Sequence, residues 1–269
     1  MQKRSFPKEL RDRGLPRVLF LNHNYENYGT YFRCFYLAKY LSFIGYDLTL
    51  VCASKSNFDL RVRTKSLNKN FRLITLPRIK LHEYHTGHLL RAWIGSHVAL
   101  LKNFDILHSF AVAQPATALP TVLCRLFKGK PIVIDWDDDW ANGLGRYHPY
   151  PVWRVVSFLE KKILKCAEKI TVASEYLANK CQEYGYSPQM VFKIPNGSDI
   201  DAIKPMDRGE ARKYLKINAD EQIILAMGHT YMESMDFLLE SYRRIRESMR
   251  TIKLYLVGRI GLAVNRIKE

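Results

Sequence analysis

Acidic side chains are scarce in this chain of 269 residues: 26 Asp and Glu stand against 42 Lys and Arg, a formal net charge of +16. A field of that sign favours anionic partners, among them nucleotide diphosphates, acidic lipid headgroups and nucleic acid. The deficit is also local, because no acid interrupts the run from Arg61 to Lys80, which holds Arg63, Lys65, Lys69, Arg72 and Arg78. That segment reads as a basic loop, either a patch for an anionic membrane surface or a face that simply meets water. Aromatic-rich RNA signatures and zinc-finger spacing are both missing, so nucleic acid is not an expected partner. Cysteine is sparse and odd in number, with Cys34, Cys52, Cys124, Cys166 and Cys181 scattered through apolar patterns. These read as buried thiols of a reducing compartment rather than a disulfide framework or a metal site. His82, His85, His88 and His97 make no His-x-x-x-His pair with a nearby acid and read as surface histidines. Long apolar runs are missing too, since nothing reaches the ~18 residues of a spanning helix. Met1 to Pro16 has no apolar h-region. The expected location is cytoplasmic, with any membrane contact peripheral and on the inner face.

What the chain does have is a repeated alternation of short apolar runs and helical patterns. Val18-Leu19-Phe20-Leu21 is wholly apolar and bounded by polar residues, which suits a strand covered on both faces in a parallel sheet. Cys34, Leu37, Ala38 and Leu41 follow at i, i+3, i+4 and i+7, on one helix face. Thr30 can cap that helix and Gly45 stands where a C′ glycine belongs. Leu48 to Cys52 then closes a strand–helix–strand unit, which calls for a right-handed crossover and a doubly wound sheet.

Further strands read at Phe71–Leu76, Phe104–His108, Pro131–Asp135, Ile170–Ala173 and Met190–Ile194. The intervening helices read at His88–Leu101, with Leu89, Trp93 and Leu100 inward; at Pro115–Phe127; and at Val152–Ala167, with Val155, Val156, Leu159, Ile163 and Leu164 at core spacing. Ser174 caps a further one. This predicts an α/β fold: a Rossmann-like domain over 17–199 after an N-terminal extension at 1–16, then a linker at 200–220 and a partial second Rossmann-like domain over 221–269. Two strands and their helices cannot bury a core alone, so the second unit reads as the first third of a domain.

In such folds ligands bind beyond the carboxyl ends of the strands. Asn22, His23, His108, Asp135 to Asp139, Asn196 and Gly197 stand at those ends. Gly29 precedes a helix N-terminus, where backbone amides and the helix dipole suit a phosphate. The glycines do not follow Gly-x-Gly-x-x-Gly, which disfavours a dehydrogenase-type dinucleotide site. Asp137, Asp138 and Asp139 are adjacent on one loop and cannot face each other across a scissile bond, which argues against glycoside hydrolysis. They read as acceptor contacts, a structural turn or a metal loop, in that order.

An ordered set of short motifs resembles the family-4 glycosyltransferases of the GT-B fold. The set comprises Gly29-Thr30 with Arg33, Phe104-Asp105-Ile106-Leu107-His108, Val133-Ile134-Asp135-Trp136-Asp137-Asp138, Ile194-Pro195-Asn196-Gly197-Ser198-Asp199, and Ala211-Arg212-Lys213-Tyr214-Leu215 before Ile223 to Gly228. The resemblance implies a retaining glycosyltransferase that moves a sugar from a nucleotide-diphosphate sugar to a saccharide or lipid-linked acceptor, with no metal or other cofactor. On that basis Gly29, Thr30, Asn196, Gly197 and Gly228 are donor-binding candidates. Asn22, His23, Arg33, Asp135, Trp136 and Asp138 are acceptor-binding candidates, and His108 and Asp137 catalytic ones. The chain departs from the family pattern in carrying Phe110 at the second position of a His-x-His pair, and His229-Thr230-Tyr231 where Arg and Lys usually hold the diphosphate. The later Glu-x7-Glu element is not reached, which makes a complementary C-terminal half an expected partner. Two alternatives stay open: a non-catalytic basic module that binds membranes or a partner, and a sugar-nucleotide epimerase of the same layout.

Overall fold

The computed structural model describes residues 15–81, 84–111, 113–144, 150–228 and 232–258. His82, His229–Tyr231 and most of the N-terminal extension lie outside the described residues. The chain divides into two compact units, Met1–Asp199 and Ile200–Glu269.

The first unit is built on an eight-stranded sheet. Its strands are β1 (Arg17–Tyr25), β2 (Asp47–Ala53), β4 (Arg63–Asn68), β5 (Phe71–Leu76), β8 (Ile106–Phe110), β9 (Ile132–Trp136), β10 (Lys169–Val172) and β11 (Val191–Lys193), in the order β11-β10-β9-β8-β1-β2-β5-β4. Seven of them run parallel, as the apolar runs predict. The eighth, β4, is antiparallel to β5 at the edge and corrects the reading of Arg61 to Lys80 as a loop. Asn68 accepts a hydrogen bond from the Asn70 amide at 2.8 Å, an Asx turn that folds the segment back on itself. Arg63 and Lys65 then guard a sheet edge, a common protection against edge pairing. Beyond it, β3 (Phe58–Asp59), β6 (Arg78–Leu81) and β7 (Tyr84–Thr86) form a small antiparallel sheet.

Side chains alternate across the central strands and feed two cores, one on each face. Val18 and Phe20 join Cys34, Ala38, Leu48, Leu50 and Phe71 under helix α1 (Tyr31–Phe43). Leu19 and Leu21 join Leu107, Ile132, Ile134 and Trp136 on the other face. That face is covered by α2 (His88–Leu101), α3 (Pro115–Phe127), α5 (Tyr150–Leu164) and α6 (Glu175–Glu183), which follow in chain order around the short α4 (Trp140–Leu144). All five cysteines are free thiols, four buried and Cys166 half-buried, as their scattered spacing implies.

Two helices turn other faces inward than their apolar patterns suggest. On α2, Leu89 and Trp93 are 78% and 63% exposed, while Ala92, Gly95, Ser96 and Ala99 are buried. A Cβ on Gly95 would meet the Ala116 carbonyl of α3 at 3.7 Å, an ordinary contact distance, so it is the small-residue face of α2 that packs on α3. On α5, Val155 and Leu159 are exposed and Ile163 and Leu164 are buried, so only its last turn enters the core. Thr30 makes no capping hydrogen bond, whereas Ser174 accepts one from the Leu177 amide and Gly45 adopts a φ of +106°.

The second unit contains α7 (Arg208–Leu215), β12 (Ile223–Met227), α8 (Met232–Ser248) and β13 (Lys253–Val257), with the two strands parallel. Asp207 caps α7, accepting from the Gly209 and Glu210 amides at 2.8 and 3.0 Å. No helix among the described residues is long and apolar enough to cross a membrane. Leu107 is fully buried in the middle of the sheet. Leu107→Ala is expected to cost about 2–5 kcal/mol, read as a lower urea midpoint at unchanged slope.

Candidate functional site

The strand order reverses between β1 and β8, which places a crevice outside their carboxyl ends. Seven parallel strands put the ends of β1, β8, β9, β10 and β11 on one rim. The β1 loop is shaped by Asn22, whose side chain accepts from the Asn24 amide at 3.2 Å. Gly29 closes that loop with a φ of +56°, and a Cβ there would lie 2.5 Å from Asn24 Nδ2. The left-handed φ favours glycine there, and a larger residue would also have to push the Asn24 side chain aside.

Arg33 and Asp135 are the centre of the rim. Arg33 Nε and Nη2 donate to the two oxygens of Asp135 at 2.8 and 2.9 Å, with the side chains 6% and 0% exposed. Arg33 Nη1 also reaches Asn196 Oδ1 at 3.0 Å. On the far side the Thr171 hydroxyl donates to Asp135, so its oxygen can accept from His108 Nε2, 3.3 Å away. His108 is stacked on Phe110 at 4.4 Å and edge-on to Phe20, and burial pushes its pKa down to about 4. A histidine so depressed is a poor base near neutral pH.

Asp137 is differently placed. Its Oδ2 accepts from the Thr30 hydroxyl at 2.8 Å and its Oδ1 is buried without a partner among the described residues. Burial, reinforced by the nearby charge of Asp135, pushes its carboxyl up to about 6. Burial also raises Asp138, which is exposed on the loop, whereas the hydrogen bonds from Lys180 and Tyr176 hold Asp139 low. One loop thus presents an ionised carboxylate, a tunable one and a solvent-facing one.

The sequence-predicted residues divide accordingly. Arg33, Asp135, Asn196 and His108 form one connected network, and Thr30 with Asp137 forms a second contact beside it. Asp135 has no oxygen left for a sugar hydroxyl and serves instead to hold Arg33. Trp136 is fully buried in the core, against Tyr184, and offers no ligand a surface. His23 is 6% exposed and edge-on to Trp140 at 6.0 Å. Gly197 is exposed with open space around its Cα and no positive φ, so nothing there requires glycine. Gly228 belongs to the second unit, where its carbonyl closely approaches Gly258 at the ends of β12 and β13. Sequence reasoning missed Thr171, and also Lys39 and Tyr40, which donate to Asp199 at 2.6 and 2.9 Å and pin the 194–199 segment to α1. The apolar alternation of β10 hid Thr171; Lys39 and Tyr40 lie about two turns beyond Arg33, and Tyr40, seven residues on, could have been found by helical spacing. No group of His, Cys, Asp and Glu among the described residues could hold a metal ion.

A model of Glycosyltransferase Family 4 matches residues 29–202, a span that contains the whole network from Gly29 to Asp199. The chain belongs to glycosyltransferase family 4. Comparison with curated proteins finds no match. Among solved structures, sucrose-phosphate synthase from Thermosynechococcus elongatus is similar with a TM-score of 0.60 at 12% identity, over 91% of this chain and 71% of that one. A UDP-forming α,α-trehalose-phosphate synthase from Burkholderia vietnamiensis matches at 0.57 and 12%, over 94% and 66%. UDP-N-acetylglucosamine 2-epimerase from Rickettsia bellii matches at 0.55 and 11%, over 94% and 63%. These likenesses are of fold, and the fold is the expected Rossmann-like α/β type of GT-B proteins. The family chain spans about two thirds of the length of each.

Two outcomes test the network. Asp135→Asn leaves the Arg33 charge buried and uncompensated, and a loss of about 3–5 kcal/mol is expected in urea titration. For Asp137, a folded pKa of about 6 lies above the unfolded value, so the protonated form is favoured in the fold and stability falls as pH rises through that range. Melting temperatures should therefore show Asp137→Asn gaining on the parent chain between pH 4 and pH 7; parallel profiles would contradict the assignment.

Proposed function

We propose that the chain is the acceptor-side part of a retaining glycosyltransferase that uses a nucleotide-diphosphate sugar and a saccharide or lipid-linked acceptor. Family membership supports a transferase. The observation that carries the finer reading is the Thr30–Asp137 contact, a buried carboxyl with a pKa near neutrality at the N-terminus of α1. A carboxyl of that kind is matched to taking a proton from an acceptor hydroxyl. In this reading Asp137 is the proton acceptor, His108 positions Asp135 through Thr171, and Arg33 with Asn196 holds the rim around them. Gly29 lets the donor diphosphate approach the start of α1, whose dipole and free amides favour the developing charge on the leaving group. Asn22, His23 and Asp138 contact the acceptor. Asn196 contributes to the donor side. No cofactor is needed for this chemistry beyond the donor itself. The trehalose-phosphate synthase of similar fold is UDP-forming, which supports a uridine diphosphate donor.

The test is sugar transfer from UDP-sugars, alone and with a candidate complementary half. Release of nucleoside diphosphate with retained anomeric configuration is expected, with kcat/KM lowered about 10²-fold or more in Asp137→Asn. Free sugar-nucleotide epimer as the product would place the chain with the epimerases of similar fold. A chain that neither binds nucleotide sugar in calorimetry nor transfers sugar, but floats with anionic vesicles in a salt-sensitive way, would be a basic membrane module instead.

A further inference from the structure

Arginine is rarely buried without a carboxylate bonded to it, yet the first unit buries two that make no hydrogen bond to one among the described residues. Arg78 on β6 and Arg91 on α2 are each 4% exposed, and the Nε of each is buried with no hydrogen-bond partner. Arg78 lies 3.5 Å above the Tyr25 ring and donates to the Lys55 carbonyl at 2.8 Å. Arg91 Nη2 donates to His88 Nδ1 at 2.9 Å. None of these partners carries a negative charge. Asp59, the residue paired with Arg78 across β3 and β6, is taken up by Ser54, Arg61 and Arg63.

The positive groups are also neighbours, since Gly87 at the start of α2 packs against Ile79, next to Arg78 on β6. The charge of Arg78 depresses Arg91, whose pKa burial pushes down to about 10. Arg91 and His88 in turn oppose protonation of His23, whose Nδ1 is a further buried atom without a partner. Arg91 sits in the first turns of the fourteen-residue helix α2, which has no acid in its first turn, so the helix dipole adds to the positive field. Because α2 leads from β5 to the parallel β8, its N-terminus lies at the carboxyl-end rim, beside the end of β1 that carries His23. Desolvated, uncompensated guanidinium groups are costly, and the cost is relieved by an oxyanion that accepts from their fork.

We propose that Arg91 and Arg78, with His23 beside them, form an oxyanion site for a phosphate group, borne by a small phosphate monoester or free in solution. The site is separate from the Arg33–Asp135 network and its test uses no donor sugar, so failure here leaves the transfer reading untouched.

The experiment is a thermal-shift titration of the full chain with inorganic phosphate against chloride at equal ionic strength, repeated on R91M and R91K. The parent chain should rise by roughly 3 °C or more at saturation. R91M should lose that rise while melting no lower than the parent in phosphate-free buffer, because it removes an uncompensated buried charge. R91K, which keeps the charge and loses the fork, should bind phosphate about tenfold more weakly in calorimetry, and this keeps the test open if R91M does not fold. Tighter binding of a hexose phosphate than of inorganic phosphate assigns the group to a sugar ligand, and equal binding assigns it to the free anion. A parent chain that phosphate does not shift beyond chloride, or an R91M that melts lower and keeps the shift, would overturn the site.

Discussion

The bidentate contact between Arg33 and Asp135 is the constraint on which the first unit's rim depends. A buried ion pair contributes little net stability, since desolvation consumes most of the Coulomb energy, but breaking one side of it is expensive. Its effect is therefore to fix positions. Arg33 comes from α1 and Asp135 from the end of β9, and the same two side chains reach Thr171 on β10 and Asn196 beyond β11. Four elements that the sheet already lines up by backbone register are tied a second time, through side chains, at the end where ligands bind in this class of fold. The Lys39 and Tyr40 contacts to Asp199 repeat the device about two turns further along α1.

That constraint also accounts for the chemistry next to it. A guanidinium and a hydroxyl meet the Asp135 carboxylate, and its negative charge stands close to Asp137. Burial and that neighbour raise Asp137, while Thr30 gives it a single hydrogen bond. Two carboxylates two residues apart thus have different tasks: Asp135 is bound by Arg33 and Thr171, and Asp137 is the one whose carboxyl is pushed up. Burial holds the His108 imidazole neutral and outweighs the opposing charge of Asp135, while Thr171 orients the ring.

Much of this was legible in the residues. Uninterrupted apolar runs identified the seven parallel strands because strands buried on both faces have no polar alternation to lose. Ser174, Asp207 and Gly45 marked helix ends through chemistry that is local. Trp136 shows where the reading stopped short: strand alternation places it with Ile132 and Ile134, on the core face, and Asp135 with Asp137 opposite. Applying that period through the end of β9 would have removed Trp136 from the candidate contacts. The edge strand β4 was hidden because it is polar and exposed, and its pairing is fixed by an Asx turn rather than by hydrophobicity. Leu89 and Trp93 misled because apolar spacing says which residues share a face of α2, not whether that face or the small-residue one meets α3. Arg78 was invisible for the opposite reason, since a basic residue in a basic run is expected in water and only tertiary packing reveals that it is not.

The two clusters of the rim share a topological origin. A doubly wound sheet sends its chain away from β1 in both directions, so the β1 loop has the N-terminus of α1 on one side and, through the return crossover, that of α2 on the other. Both helix starts lack acids in their first turns. At α1 the fold supplies an acid from outside the helix, Asp137, and shields it with Thr30. At α2 no described carboxylate fills the corresponding role, and two guanidinium groups are buried there instead. His23, edge-on to Trp140 of the Asp137 loop and within the field of Arg91, stands between them. The β1 loop thus stands between a titrating carboxyl beside α1 and a pair of buried guanidinium groups beside α2.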